Sequence, residues 1–204
     1  MGRFFNLENP IWRFIGNLAD FFFLSLCWYL CCIPVVTLGC GTSALYYVTM
    51  KMAANREGYT LRSFWSAFKT DFRTAAPVWL LFLAAALVLY ADFTWSLHGS
   101  SLFARSMFIT FAVVLLLYVL CLSLIFPLIA RCEHTVPALL KICFAMSIRN
   151  FLPVLSTVIV TVAFFAFGLF VFWPVLLIAP GLSAYINSFI YNRIFAGYGL
   201  NLPE

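Results

Sequence analysis

Apolar residues run along this chain in long unbroken stretches, and the charged residues mark where each stretch begins and ends. Between Asp20 and Lys51 lie 30 uncharged residues, between Arg73 and Asp92 18, between Arg105 and Arg131 25, and between Arg149 and Arg193 43. A helix rises about 1.5 Å per residue, so about 20 apolar residues cross roughly 30 Å of hydrocarbon. The second and third gaps each suit one crossing. The fourth holds two, with Trp173-Pro174 as the turn and Pro180-Gly181 as a kink or alternative turn. Membrane β-barrels instead show short alternating segments separated by turns, a pattern absent from these runs.

The first gap is more complex. Its apolar run extends back from Phe21 through Leu18 and Ile15 to Ile11, enough for one span. Pro34 to Gly41 then has turn chemistry, and Thr42 or Ser43 suits a helix N-cap. The returning segment, 44–54, reaches only about 17 Å as a helix, so it is a short, broken or re-entrant crossing.

The expected fold is therefore all-α: a polytopic transmembrane helical bundle of about six spans in a single membrane domain, 1–204. The spans fall at about 11–36, 42–55, 74–96, 104–130, 150–172 and 175–195. Two basic amphipathic helices, at about 60–72 and 136–148, are expected at the membrane surface. In the first, Leu61, Phe64, Trp65, Phe68 and Phe72 recur at helical spacing opposite Arg62, Lys69 and Arg73. In the second, Val136, Leu139, Leu140, Phe144, Ile148 and Phe151 form the stripe, with Lys141 and Arg149 opposite. The likeness suggests a weak parallel repeat of amphipathic helix plus membrane hairpin, although any short connection between spans tends to become interfacial.

Composition agrees with this pattern. The chain of 204 residues is 65% apolar, 19% aromatic and only 9% charged, against about 25% charged in a soluble domain. Soluble, disordered, coiled-coil and nucleic-acid-binding classes are excluded on that ground. With six crossings and both termini cytoplasmic, 11 of the 12 basic residues lie inside and only Arg105 outside; five crossings give 9 against 3. The positive-inside rule prefers six, in a multi-pass bacterial cell membrane protein. Glu8 and Asp20 interrupt the N-terminal apolar stretch and no small-residue cleavage site follows it, so a cleavable signal peptide is not expected.

Candidate chemistry is sparse. Neither histidine, His98 nor His134, belongs to a cluster with metal-ligand spacing; Cys132-Glu133-His134 are adjacent and cannot easily aim at one ion. The seven cysteines suit small apolar helix residues, with no structural disulfide expected. No Gly-x-Ser-x-Gly elbow or phosphate-binding loop is present. Catalytic residues, metals and cofactors are accordingly not expected. Asp20 is the residue to watch, because a carboxylate inside a span must face the bundle interior, pair or snorkel. With Asn17, Thr37 and Asn187 it forms a candidate solute or coupling-ion site; the alternative is a capping or snorkelling carboxylate at the interface. Asn187, Asn192 and Arg193 are candidates to hydrogen-bond it from the last span. Arg62, Lys69, Arg73, Lys141 and Arg149 are candidate contacts to anionic lipid or to a cytoplasmic partner.

Several blocks carry a resemblance. Leu30-Cys31-Cys32-Ile33-Pro34-Val35-Val36-Thr37-Leu38-Gly39, continued by Thr42 to Val48, resembles the signature of the YesL-like family of bacterial membrane proteins. Glu57-Gly58-Tyr59, Ser63 to Lys69, Ala130 to Thr135, Ser147 to Phe151 and Pro180 to Ser188 extend the likeness along nearly the whole chain. The family is uncharacterised biochemically, and its members tend to accompany carbohydrate uptake and breakdown in Gram-positive bacteria. The resemblance thus implies a non-enzymatic accessory or component of a carbohydrate ABC uptake system, with permease or ATPase subunits as partners. The chain lacks the Glu-Ala-Ala…Gly loop expected of the permeases themselves. The rival expectation is a self-sufficient small-solute transporter with its site near Asp20 and the break at Thr37 to Thr42. An enzyme acting on lipid-linked sugar is disfavoured for want of paired acid and base groups.

Overall fold

The computed structural model describes residues 10–54, 59–97, 102–132 and 135–200, with side chains described over 18–54, 59–94, 110–132 and 135–200. All the regular elements among these residues are helical, seven α-helices and two short 3-10 turns.

Pro10 opens the first helix, α1 (Pro10–Cys32), where its missing N–H is no loss. Pro34, extended at φ −83° and ψ 114°, begins a 3-10 turn over Val35–Thr37. The Thr37 hydroxyl closes this reversal by donating to Cys31 O (2.6 Å) and Pro34 O (2.9 Å). The next helix, α2 (Leu38–Ala53), therefore starts four residues before the expected N-cap. Gly39 and Gly41, read from sequence as turn residues, lie inside it and permit close approach on two sides. A Cβ at Gly39 would lie 2.6 Å from the Trp79 Cβ, and one at Gly41 would lie 2.8 Å from the Cys31 Cβ.

The segment at 60–72 does not form a separate surface helix. It runs without interruption into the following span as α3 (Thr60–Leu97), 38 residues passing through Pro77. Such a helix is about 57 Å long, more than the bilayer core requires. Its inner stripe, Phe64, Ala67, Ala75, Val78 and Phe82, is buried throughout, so the same face packs in both halves. Two more helices follow, α4 (Leu102–Ile129) and α5 (Val136–Arg149). Asn150, at φ −112° and ψ 42°, breaks the chain between α5 and α6 (Phe151–Phe170). The two amphipathic connections thus differ, one continuous with its span and one hinged at an asparagine. The Trp173-Pro174 turn is present as a 3-10 turn over Trp173–Leu177, and α7 (Ala179–Ala196) closes the fold with Pro180 in its first turn.

Among the described residues, three helical stretches are long and apolar enough to cross a membrane: Thr60–Thr94, Thr110–Ile129 and Phe151–Phe170. This is fewer than the six expected. Over the described part of α1 the apolar stretch is short, Leu18–Cys32. Helix α2 has 16 residues, and the 18 residues of α7 include Ser183, Asn187, Ser188, Asn192 and Arg193.

The core lies where α2, α4 and α7 meet, around Met50, Leu120, Leu124, Leu128, Tyr191 and Phe195. Among the described residues eight small polar ones are also buried, including Ser25, Ser43, Thr49, Thr157, Asn187 and Ser188. Large apolar side chains cover the outside instead, including Leu87 and Val88 on α3, Ile159 and Val162 on α6, and Phe170 at 88% exposure. Apolar atoms outside and paired hydroxyls inside suit a hydrocarbon surround.

Candidate functional site

The interior polar residues form one hydrogen-bonded cluster across four helices. Tyr191 on α7 places its hydroxyl 2.7 Å from Ser123 Oγ on α4 and 2.8 Å from Thr157 Oγ1 on α6, and it donates to Ser123 O at 2.9 Å. One turn away, Asn187 Nδ2 donates to Thr157 O (3.2 Å) and Thr161 Oγ1 (2.8 Å). Its Oδ1 is buried without a hydrogen-bond partner. Ser188 Oγ donates to Thr49 Oγ1 on α2 at 2.9 Å, and the Tyr46 ring packs edge-on against Tyr191 at 5.5 Å. In a low-dielectric interior each of these groups would be costly if left unpaired, so the cluster fixes the rotation of α2, α4, α6 and α7 together.

A second polar junction lies one turn further along α7. Arg131, just after α4, donates through Nη2 to Asn192 Oδ1 and through Nη1 to Leu200 O at 2.7 Å, with its guanidinium 4.9 Å from the Phe195 ring centre. Asn192 Nδ2 in turn donates to Met50 O at 3.2 Å. The guanidinium fork is what allows one side chain to hold both α7 and the segment after it.

The hydrogen bonds of the described candidate solute residues run to separate partners. The Asp20 carboxyl lies within hydrogen-bonding reach of the Thr60 hydroxyl at the start of α3. Thr37 is engaged in the reversal after α1, and Thr42 accepts from Trp28 Nε1 (3.1 Å) while donating to Leu38 O. Asn187 faces α6, and Asn192 faces α2 and Arg131, so the hydrogen bonds of neither run to Asp20. The side chain of Asn17 lies outside the described residues, as do Glu133 and His134. Cys132, their neighbour, is buried; burial pushes its thiol up while the Arg131 guanidinium pulls it part of the way back, which keeps the proton on sulfur near neutral pH. All seven cysteines are free thiols.

Sequence reasoning missed a carboxylate. Asp71 on α3 accepts a 2.6 Å hydrogen bond from Ser43 Oγ on α2, beside Cys40. Only the packing of α2 against the first half of α3 turns Asp71 inward.

Arg62, Lys69, Arg73, Lys141 and Arg149 are all exposed. On α3 they share the surface with exposed Trp65 (49%) and Phe72, which both meet the half-buried Phe68, Trp65 edge-on. Lys141 borders an apolar cavity of about 760 Å³ between α3, α4 and α5, whose lining includes Phe82, Val114, Tyr118, Cys121 and Phe144. Arg149 borders a smaller one of about 460 Å³ together with Arg193.

Nothing among the curated proteins or the solved structures matches this chain. Residues 21–93, which contain most of the described apolar part of α1, all of α2 and most of α3, match the family described as "Protein of unknown function, DUF624", a domain that YesL-like proteins carry.

Proposed function

We propose that this chain is a non-enzymatic integral membrane protein serving as an accessory or component of a carbohydrate ABC uptake system, with its basic connections on the cytoplasmic side. The observation that carries the reading is the exposed side of α3, where Trp65 and Phe72 stand beside Arg62, Lys69 and Arg73. Interfaces are enriched in aromatic residues and arginine, and hot spots favour tryptophan and arginine, so this face suits a protein partner at the membrane boundary. The outward apolar surface of α3, α4 and α6 supports the membrane setting. The carbohydrate association rests on the resemblance of the sequence blocks to YesL-like proteins.

The test is crosslinking in native membranes followed by mild solubilisation and affinity capture of the chain. Permease or ATPase subunits should be recovered with the wild type, and Arg62→Glu/Lys69→Glu/Arg73→Glu should lose them while still inserting. Capture of no such subunit across several detergents, or equal recovery with the triple variant, would overturn the reading.

A further inference from the structure

The cavity of about 460 Å³ beside α6 lies between the end of α5, the start of α6 and the end of α7. It gathers cations from two elements far apart in sequence, Arg149 ending α5 and Arg193 near the end of α7. No acidic side chain is among the described residues lining it. One wall is the start of α6, where Asn150 and Pro153 flank the first turn. The first N–H groups of a helix have no intrahelical partner and carry partial positive charge, which favours an anion there.

Several carbonyls at the neighbouring helix ends already accept hydrogen bonds. At the end of α5, Met146 O accepts from Asn150 N and from Asn150 Nδ2. At the end of α7, Arg193 O and Ile194 O accept from Gly197 N, and Phe195 O accepts from Tyr198 N and Leu200 N. Asn150 Nδ2 also donates to the Tyr198 hydroxyl at 3.0 Å, and the Tyr198 ring lies 5.7 Å from the Arg149 guanidinium. The pocket's shape is thereby braced around its two cations. Its remaining lining, Pro153, Ile190 and Ile194, is apolar, and the neighbouring outer surface carries Leu152 and Phe189, both exposed.

From this arrangement we infer that the pocket is a binding site for the phosphodiester headgroup of an anionic glycerophospholipid. The phosphate sits between Arg149 and Arg193 at the first turn of α6, and the acyl chains lie along the apolar surface of α6 and α7. Basic pockets between membrane helices hold anionic headgroups in this way, and arginine suits phosphate because its fork donates two parallel hydrogen bonds. The inference rests on the membrane setting proposed above but not on any ABC partner.

The protein would be reconstituted in nanodiscs of mixed phosphatidylglycerol and phosphatidylcholine, and the retained lipid measured by native mass spectrometry. The wild type should retain phosphatidylglycerol over phosphatidylcholine by about thirtyfold, the scale two cations give at an anionic surface. Arg149→Gln/Arg193→Gln should bring the ratio near one, whereas Arg62→Gln/Lys69→Gln, with the same loss of charge on exposed α3 sites, should lower it far less. Equal loss in both double variants would reduce the effect to general electrostatics and overturn the site. Displacement of the lipid by millimolar glycerol phosphate or inorganic phosphate would assign the pocket to a free anion instead, and likewise overturn the lipid proposal. Failure of the wild type to enter nanodiscs at all would count against the membrane reading rather than against the pocket.

Discussion

The hydroxyl of Tyr191 lies 2.7 Å from that of Ser123, 68 residues away in sequence, and this contact ties α7 to α4 at the centre of the bundle. Thr157 on α6 joins the same pair. Three helices are thus held by oxygens that have no water to turn to. In hydrocarbon such contacts are modest individually, about 0.6 kcal/mol on average, and gain from being networked.

Tyr191→Phe should keep the ring packing and remove the hydroxyl that unites Ser123 and Thr157. The expected loss is about 1 kcal/mol, read as a lower midpoint in a mild-to-denaturing detergent titration. Tyr191→Ala should cost about 3 kcal/mol or more because it also opens a cavity beside Tyr46 and Phe195. An unchanged midpoint for Tyr191→Phe would show that the hydroxyls contribute nothing net.

Gly181→Ala should destabilise although alanine is the better helix former. The added Cβ would fall 2.7 Å from Phe21 O and 3.2 Å from Phe21 Cα, backbone atoms that cannot swing aside. Overpacking of that kind typically costs about 1–3 kcal/mol, which exceeds the propensity gain of about 1 kcal/mol. Gly197→Ala is the control: its Cβ comes no nearer than 3.2 Å to Ile194 O, so a much smaller change is expected. Equal midpoints for the two variants would contradict the close α1–α7 approach.

Ser43→Ala and Asp71→Asn should be strongly non-additive. Each alone removes the charged character or the donor of a 2.6 Å contact, worth about 1.5–3 kcal/mol for a hydrogen bond to an ionised group. The double variant should lose little more than either single one, giving a coupling energy in that range. Additive losses would mean the pair does not interact in the membrane.

Lys69→Cys and Lys141→Cys should both react with a membrane-impermeant maleimide only after the cells are opened. Labelling of either in intact cells would reverse the orientation and remove the basis for an intracellular partner.

A reversal beginning at Pro34 and the turn at Trp173-Pro174 were readable, because prolines act locally and their effect does not wait for packing. The first was read as far as Gly41 but ends at Thr37. The fusion of 60–72 with the following span was not readable. Phe64, Ala67, Ala75 and Val78 continue one buried stripe at helical spacing, and no breaker other than Pro77 separates the two halves. Gly39 and Gly41 misled for a different reason, since glycine serves a turn and a close helix contact equally well. Of the interior cluster, Asn187 stood out as an amide in a span. Ser123, Thr157, Thr49 and Ser188 did not, because hydroxyls are common in such helices and only tertiary register shows which ones meet. Asp71 was hidden likewise, its role set by Ser43 on a neighbouring helix.

The seam between the first and last helices has a bearing on how the protein is made. Gly181 N donates to Ser25 Oγ across 156 residues, and Tyr29 donates to Leu176 O across 147. While the ribosome is still translating, Ser25 and Tyr29 therefore wait in the bilayer without these partners until nearly all of the chain has been threaded in. An insertase or chaperone shielding α1 during that interval would protect it, and transcripts cut short before codon 176 should yield products that membrane proteases clear quickly.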